Sequence, residues 1–432
     1  MFRYENRRLC RCVPLCVGVL VGGLLMPFGA AAQAVPEWTL SEALETAFEN
    51  SPVLQGQQAE RQEIASRLVS AKTYPYNPEV SLELADRSSP GGSTTDRGLS
   101  LSQELELAGQ RRQRIAVADQ ELAAAEAVLV RQRRRLAFEV ESAFAEAVLA
   151  RELLGVATTD ADLAREVLAF SQRRLERGAA TQIEANLAQA SAGRAERSLR
   201  RARADYASAR SRLAEIAGAK PQAPPEPVGD LLAPEEEPHS LKDLLALAFG
   251  RRGDLLAASE REQAAEAATR LAKAEGKPNL VVGSFFQREE ATDDIFGATI
   301  SLTVPLFNRN QGQIAESHAA RERASHERAA LRLAIEQEVV SAFNNLQETR
   351  AAAEHLRDQV LGTLDENVEL LQRSFEAGRI GATEVVTLRR EFVASRREYI
   401  EAVADAWLAR IELDLATGRL SLPLQELGKE PS

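Results

Sequence analysis

Apolar residues recur every seven positions through two long stretches of the chain, residues 110–218 and 311–418. In the first stretch the series runs through Ile115, Leu122, Leu129, Leu136, Ala143, Ala150, Ala157 and Ala164. This period is typical of helices that pack side by side as coiled coils. Neither stretch contains proline, which would cost a helix interior about 3 kcal/mol. Both stretches are therefore predicted to form very long helices.

A glycine divides each long stretch into two helices. Gly178 follows Arg177 in the first stretch, and Gly378 precedes Arg379 in the second, about 200 residues later. Glycine adopts the left-handed conformation that commonly ends a helix at little cost. Each stretch is therefore predicted to fold back on itself as a helical hairpin, with a first rod of about 100 Å from its length at 1.5 Å per residue.

Ahead of each long stretch the hydrophobic period changes to two. Val80, Leu82 and Leu84 alternate with Ser81 and Glu83, which predicts a strand with one apolar face. The same alternation recurs at Leu99 and Leu101, at Leu280 and Val282, and at Ile300, Leu302 and Val304. Transmembrane β-strands have about 9 to 11 residues and alternate in this way. A soluble two-stranded ribbon fits the pattern equally well.

The chain divides into two tandem repeats of one plan, residues 35–218 and 240–418. In each repeat a strand pair precedes a long helical hairpin. A linker rich in proline and glutamate, residues 219–239, joins the repeats, and residues 419–432 form a tail. The predicted strands fall at about 78–106 and 279–306, and the helical hairpins at 110–218 and 311–418.

The first 34 residues have the composition of a secretory signal peptide. A basic start precedes an apolar run, and small residues after it supply cleavage sites. A membrane anchor fits less well, because Pro14 and Pro27 break the apolar run. All three cysteines lie in this segment, at Cys10, Cys12 and Cys16. The mature chain is therefore predicted to hold neither a disulfide nor a thiolate metal site.

The charge balance limits the classes of partner that the chain could bind. The chain carries 53 basic and 64 acidic residues, a formal charge of −11, which makes nucleic acid a poor candidate. No mature segment reaches the roughly 18 apolar residues of a transmembrane helix. The protein is thus soluble, or it meets a membrane through its strands.

Strands in a membrane would require an oligomer. Four strands cannot close a barrel, for which about 8 is the smallest number, and an open strand edge is excluded from lipid. Two subunits would supply eight strands and three would supply twelve. The residue pattern does not choose between these assemblies.

Short motifs accompany the repeat. Residues 177–184 and 377–384 are similar to the hairpin tips of the TolC family of outer-membrane efflux channels, and Val304-Pro-Leu-Phe-Asn308 is similar to the segment that joins barrel to tunnel in that family. Tyr76-Asn-Pro-Glu-Val80 and Ser102-Gln-Glu-Leu-Glu-Leu-Ala-Gly109 most resemble its heavy-metal, CzcC-like branch. With the repeat, the resemblance covers nearly all of the mature chain.

The resemblance implies a mainly α-helical fold with a β-barrel part. In the family a homotrimer forms a twelve-stranded barrel in the lipid of the outer membrane and a helical tunnel in the periplasm. The implied partners are a periplasmic adaptor and an inner-membrane pump of the RND type. The chain would be a passive duct, with no catalytic group and no cofactor, and its cargo would be heavy-metal cations. The alternatives are an organic-solute channel of the same family and a non-channel periplasmic adaptor or coiled-coil protein.

The resemblance also marks candidate residues at the tips. Glu184 and Glu384 follow the tip glycines and are candidates for an acidic gate at the periplasmic mouth, where they would favour cations. A plainer role competes, because a glutamate in the first turn of a helix complements the helix dipole. The candidates for adaptor docking are Arg177, Gly178, Gly378, Arg379 and Ile380.

No metal site is predicted in the mature chain. It has four histidines, and His318 and His326 stand eight positions apart, too far for a pair one helical turn apart. A duct needs no tight site, because such a site would retain the ion rather than pass it.

Overall fold

The computed structural model describes residues 36–420, except 91, 220–223, 232–233, 236, 291 and most of 359–378. The predicted signal peptide, the tip residue Gly378 and the tail beyond Leu420 lie outside the described residues.

The two halves of the chain have the same order of elements. The helices of the first half are α1 (Leu40–Asn50), α2 (Pro52–Lys72), α3 (Gln110–Glu176) and α4 (Gln182–Ile216). Those of the second half are α5 (Leu241–Arg251), α6 (Gly253–Glu275), α7 (Gln311–Leu356) and α8 (Ala382–Thr417). The strands are β1 (Glu37–Trp38), β2 (Glu79–Ser89), β3 (Gly92–Leu105), β4 (Glu226–Pro227), β5 (Leu280–Glu289) and β6 (Asp293–Leu302).

The long helices α3 and α7 begin in the same way. The residue before each has a left-handed backbone, Gly109 with φ 75° and Asn310 with φ 62°. The first residue of each helix is a glutamine, Gln110 or Gln311. Its side chain accepts a hydrogen bond from the backbone N–H two residues earlier, at 2.9 Å in the first half and 2.8 Å in the second. The repeat thus preserves the turn that leads from sheet to helix.

Helix α3 lies at the centre of the helical packing. It spans 67 residues, about 100 Å at 1.5 Å per residue. It packs along α2, α4, α6 and α8, and many of its buried residues are small: Ala118, Ala124, Ala137, Ala143, Ala145, Ala147, Ala157, Ala161 and Ala164. Small residues at these positions allow the backbones of neighbouring helices to approach each other closely. At Gly253 of α6, an added Cβ would lie 2.5 Å from the carbonyl oxygen of Ala127, so only glycine fits there.

Two related hydrophobic clusters hold the short helices to the long ones. In the first half, α1 packs on α3 and α4 through Ala43, Ala47, Val140, Phe144 and Leu213. In the second half, α5 packs on α7 and α8 through Leu244, Ala248, Ile335, Val339 and Leu413. Part of the linker joins this region, because β4 pairs in parallel with β1.

The longer strands form one antiparallel sheet in the order β2-β3-β5-β6. Strands β3 and β5 come from different halves, so their pairing joins the repeats. One face of the sheet is apolar, with Val80, Leu82, Leu84, Leu99, Leu101, Leu280, Val282, Phe286, Phe296, Ile300 and Leu302. The other face carries small and polar residues, including Ser81, Glu83, Ser100, Ser102, Gln287 and Thr299.

Strands β2 and β6 lie at the two edges of this sheet, and their outer backbone groups have no partner strand among the described residues. Such edges are templates for pairing with another chain. On the polar face the ring of Phe285 lies over Gly297, where an added Cβ would overlap it. This glycine therefore lets an aromatic ring cover the neighbouring strand.

Among the described helices, none combines the length and the apolar character that crossing a bilayer requires.

Candidate functional site

The tip of the first helical hairpin is an exposed turn at Gly178. Its φ of 69° is left-handed, and the N–H of Ala179 donates to the carbonyl of Arg174 at 2.8 Å, which closes the end of α3. Arg177 and Gly178 are both exposed. Nothing lies within 4 Å of a Cβ added at Gly178. Both predicted docking residues of this tip are therefore open on the surface of the chain.

Glu184 caps the helix that leaves this tip. The N–H of Thr181 donates to its carboxylate at 2.8 Å, and the N–H of Glu184 donates to the hydroxyl of Thr181 at 3.2 Å. These reciprocal bonds form a capping box. The other carboxylate oxygen lies 3.8 Å from a Cβ added at Gly381, the residue before α8. The carboxylate thus faces the start of α8 as well as the start of its own helix.

The second tip is built differently. Gly381 offers no side chain to cap α8, and Glu384 is exposed in the first turn. The two glutamates that the repeat pairs therefore have different surroundings. Arg379 is exposed, whereas Ile380 is half-buried. Ile380 packs on the cluster Val167, Ala188, Leu371, Phe375, Ala382 and Val385.

Ile183, which the sequence pattern did not mark, is 79% exposed at the start of α4. It adds an apolar side chain to the open surface that Arg177 and Gly178 provide.

Above the tips, a buried ion pair ties the two repeats together. Arg389 of α8 donates to the carboxylate of Asp160 in α3 at 2.5 Å and to its backbone carbonyl at 2.9 Å. It also donates to the hydroxyl of Ser191 in α4 at 2.6 Å. The side chains of Arg389 and Asp160 are only 5% and 13% exposed. One guanidinium therefore holds three helices together near the tip.

Burial shifts the pKa of both groups of this pair. It raises the pKa of Asp160, against the effect of Arg389, and it lowers the pKa of Arg389, against the effect of Asp160. Both shifts oppose ionisation, so the loss of hydration outweighs the attraction between the charges. Replacing both members of such a pair by apolar residues is often neutral or stabilising, whereas removing one member leaves a buried charge unpaired and is costly.

A second charged cluster lies where the linker meets the ends of α8 and the middle of α3. Glu237 accepts hydrogen bonds from Arg419 at 2.7 Å and 3.0 Å and lies 3.2 Å from Arg410. Burial opposes its ionisation, but the bonds from Arg419 and His239 outweigh burial and lower its pKa to about 2. Asp414 is bound by both arginines, at 2.8 Å and 3.0 Å.

Glu141 of α3 faces this cluster. Burial, together with the nearby charge of Asp414, raises its pKa from 4.5 to about 7. Because the folded chain keeps a proton that the unfolded chain releases, the free energy of unfolding falls as the pH rises from 4.5 to about 7.

Replacement of Glu141 by glutamine is expected to stabilise the protein at pH 8 by up to about 3 kcal/mol, with little change at pH 4. Denaturant unfolding at a series of pH values measures this. Glu139→Gln is the matched control, since the side chain of Glu139 is 43% exposed on the same helix. An equal pH dependence in the Glu141 variant and the parent protein would contradict the assignment.

Within the described ranges, no three His, Cys, Asp or Glu side chains cluster as a metal site requires.

The two halves of this fold match a known protein family. Residues 43–219 and 244–419 match the family described as outer membrane efflux protein. The chain belongs to this family. The match covers both halves of the chain, and it confirms the predicted resemblance to outer-membrane efflux channels.

One relative and two solved structures resemble the chain along nearly its whole length. The cobalt-zinc-cadmium resistance protein CzcC of Cupriavidus metallidurans is 26% identical, over 90% of this chain and 91% of CzcC. The CmeC outer membrane channel of Campylobacter jejuni superposes with a TM-score of 0.74 at 13% identity, covering 90% of this chain and 89% of CmeC. The open state of the MtrE outer membrane channel of Neisseria gonorrhoeae superposes with a TM-score of 0.70 at 16% identity, with 88% of each chain covered. The predicted fold class is confirmed.

Sequence reasoning missed the ion pair between Arg389 and Asp160. A signal for it exists, because Arg389 follows Ala382, Val385 and Val386 on the buried face of α8. An arginine at a buried position needs a counter-charge. The identity of that counter-charge, on a helix far away in sequence, is not contained in the local pattern.

Proposed function

We propose that this member of the efflux-protein family is the outer-membrane exit duct of a tripartite efflux system. The observation that carries the proposal is a sheet with one apolar and one polar face, continuous with a helix of about 100 Å. The apolar face suits lipid and the polar face suits a water-filled lumen. The long helices would extend the duct from the outer membrane through the periplasm.

The duct is a homotrimer in this proposal. Among the described residues, each chain offers one four-stranded sheet with two unpaired edges, β2 and β6. Pairing β2 of one copy with β6 of the next satisfies those edges, and three copies close a twelve-stranded barrel. A closed barrel leaves no backbone group unpaired in lipid, which an isolated chain cannot achieve.

The tips would meet a periplasmic adaptor, which connects the duct to an inner-membrane pump of the RND type. Arg177, Gly178, Ile183 and Arg379 supply an exposed surface at the tips. Gly378, which lies outside the described residues, completes the set by its place in the sequence. Ile380 would support this surface from below, because it packs inside the chain.

The ion pair of Arg389 and Asp160 would hold the tip end closed. A duct that opens and closes needs an element with two arrangements. The pair joins α8 of one repeat to α3 and α4 of the other, so separating these helices requires breaking it. Glu184 and Glu384 would add negative charge to the same mouth and favour cations.

The proposed cargo is heavy-metal cations. The name of the relative CzcC, cobalt-zinc-cadmium resistance protein, supports this choice. The cargo would pass as a substrate, without a tight binding site in the duct.

Deletion of the gene is expected to lower tolerance to zinc, cobalt or cadmium, and re-expression of the intact chain should restore it. Growth across a panel of these metals, copper and organic drugs measures the effect. Unchanged metal tolerance together with lowered drug tolerance would overturn the metal cargo and favour organic solutes. If the deletion lowers tolerance neither to the metals nor to the drugs, the proposed efflux function is contradicted.

A further inference from the structure

A row of charged side chains crosses the apolar face of the sheet. The strand register places Leu84, Arg97, Arg288 and Asp294 opposite one another on β2, β3, β5 and β6. The row next to it, on the side nearer the long helices, is Leu82, Leu99, Phe286 and Phe296. Two arginines therefore stand immediately beyond an apolar band, at the end of the sheet remote from the helices.

Arg97 is exposed, and it makes no ion pair with the residues that the structure describes. Its direct partner across the strand is Arg288, and like charges in such a pair destabilise a sheet. Arg288 is itself engaged by Asp294, at 2.6 Å and 2.8 Å. The row thus holds two guanidinium groups and one carboxylate.

The neighbouring carboxylates have other partners. Asp86, one row further out, accepts the hydroxyl of Thr95 at 2.9 Å. On the opposite face of the sheet, Arg87 is paired at 3.0 to 3.1 Å with three carboxylates: Asp96, Glu289 and Glu290. Arg97 therefore remains available to an anion from outside the chain.

The position of the row indicates where that anion comes from. Leu280 and Phe286 of β5 mark the ends of the apolar band, about 20 Å apart along the strand at 3.4 Å per residue. Arg288 lies about 7 Å beyond Phe286 by the same spacing. With the apolar face against lipid, this is the level of the headgroups. Because the long helices leave the opposite end of the sheet, the headgroups are those of the outer leaflet.

We propose that Arg97, together with Arg288, binds a phosphate of the phosphorylated glycolipid in the outer leaflet. A guanidinium group matches phosphate oxygens through two parallel hydrogen bonds. The phosphate would also relieve the repulsion between the two arginines. This inference rests on the proposed insertion of the sheet in the outer membrane.

The test measures lipid retained by the purified protein. The trimer in detergent is mixed with diphosphorylated lipid A or with dephosphorylated lipid A, and bound lipid is counted by native mass spectrometry. The parent protein should retain the diphosphorylated form. Arg97→Gln should weaken retention about fivefold, as expected for one arginine at a charged membrane surface. Arg97→Lys should keep part of it, and Arg203→Gln, an exposed arginine of α4 far from the sheet, should change nothing.

Equal retention by Arg97→Gln and the parent protein would overturn the proposal, as would equal retention of the two lipids. Displacement of lipid A by millimolar inorganic phosphate would instead identify a simple anion site and also overturn it. Channel conductance is recorded on the same preparations in planar bilayers. A conducting protein without lipid preference refutes the glycolipid site alone, whereas a protein that never conducts refutes the duct.

Discussion

Replacing Arg389 by methionine is expected to open the tip end of the duct and to destabilise it by about 3–5 kcal/mol. The reason is that Asp160, only 13% exposed, loses the guanidinium that neutralises it. Single-channel conductance in planar bilayers measures the opening. Hydrogen exchange of the lower parts of α3, α4 and α8 measures the local loss of stability.

A double variant separates the role of the Arg389–Asp160 pair as a latch, meaning the contact that holds the tip end closed, from its effect on the stability of the fold. Arg389→Met with Asp160→Leu removes both charges, and replacement of a buried ion pair by apolar residues is often neutral or stabilising. Stability should therefore return while conductance stays high, because the tie between the repeats is gone. Arg390→Met is the matched control, since Arg390 is the next residue and is exposed. If the single and the double variant both conduct like the parent protein, the ion pair does not hold the tip end closed.

Replacing Leu82 by arginine is expected to destabilise the membrane-inserted protein by about 2–4 kcal/mol per chain, while Ser81→Arg should cost little. The two residues are adjacent on β2, but Leu82 lies on the apolar face, 71% exposed in the single chain, and Ser81 lies on the polar face. A charge on the lipid side must leave water, whereas a charge on the lumen side stays hydrated.

Unfolding in urea from lipid vesicles measures both variants, with the fraction inserted in the outer membrane as a second readout. Three copies per barrel would multiply the effect of Leu82→Arg. Equal costs for the two variants would show that the faces of the sheet are not in different solvents. The proposed barrel would then be refuted, whatever conductance the Arg389 variants show.

Several parts of the site could be predicted from the sequence. The turn at Gly178 and the capping position of Glu184 follow from residues that are close neighbours in the chain. The repeat also predicted a matching glutamate at Glu384. The repeat could not show that the two carboxylates differ, because Thr181 caps one helix and Gly381 offers no side chain to the other.

The sequence by itself determined the long helices, the turn at Gly178 and the two-sided strands, because periodicity and turn chemistry depend on residues a few positions apart. Only the tertiary structure decided which elements meet. The pairing of β3 with β5, the bond of Arg389 to Asp160, and the effect of the Asp414 charge on the pKa of Glu141 all join segments far apart in the chain. Burial then shifts the pKa of Asp160, Arg389 and Glu141, and burial is a property of the assembled fold rather than of any local pattern.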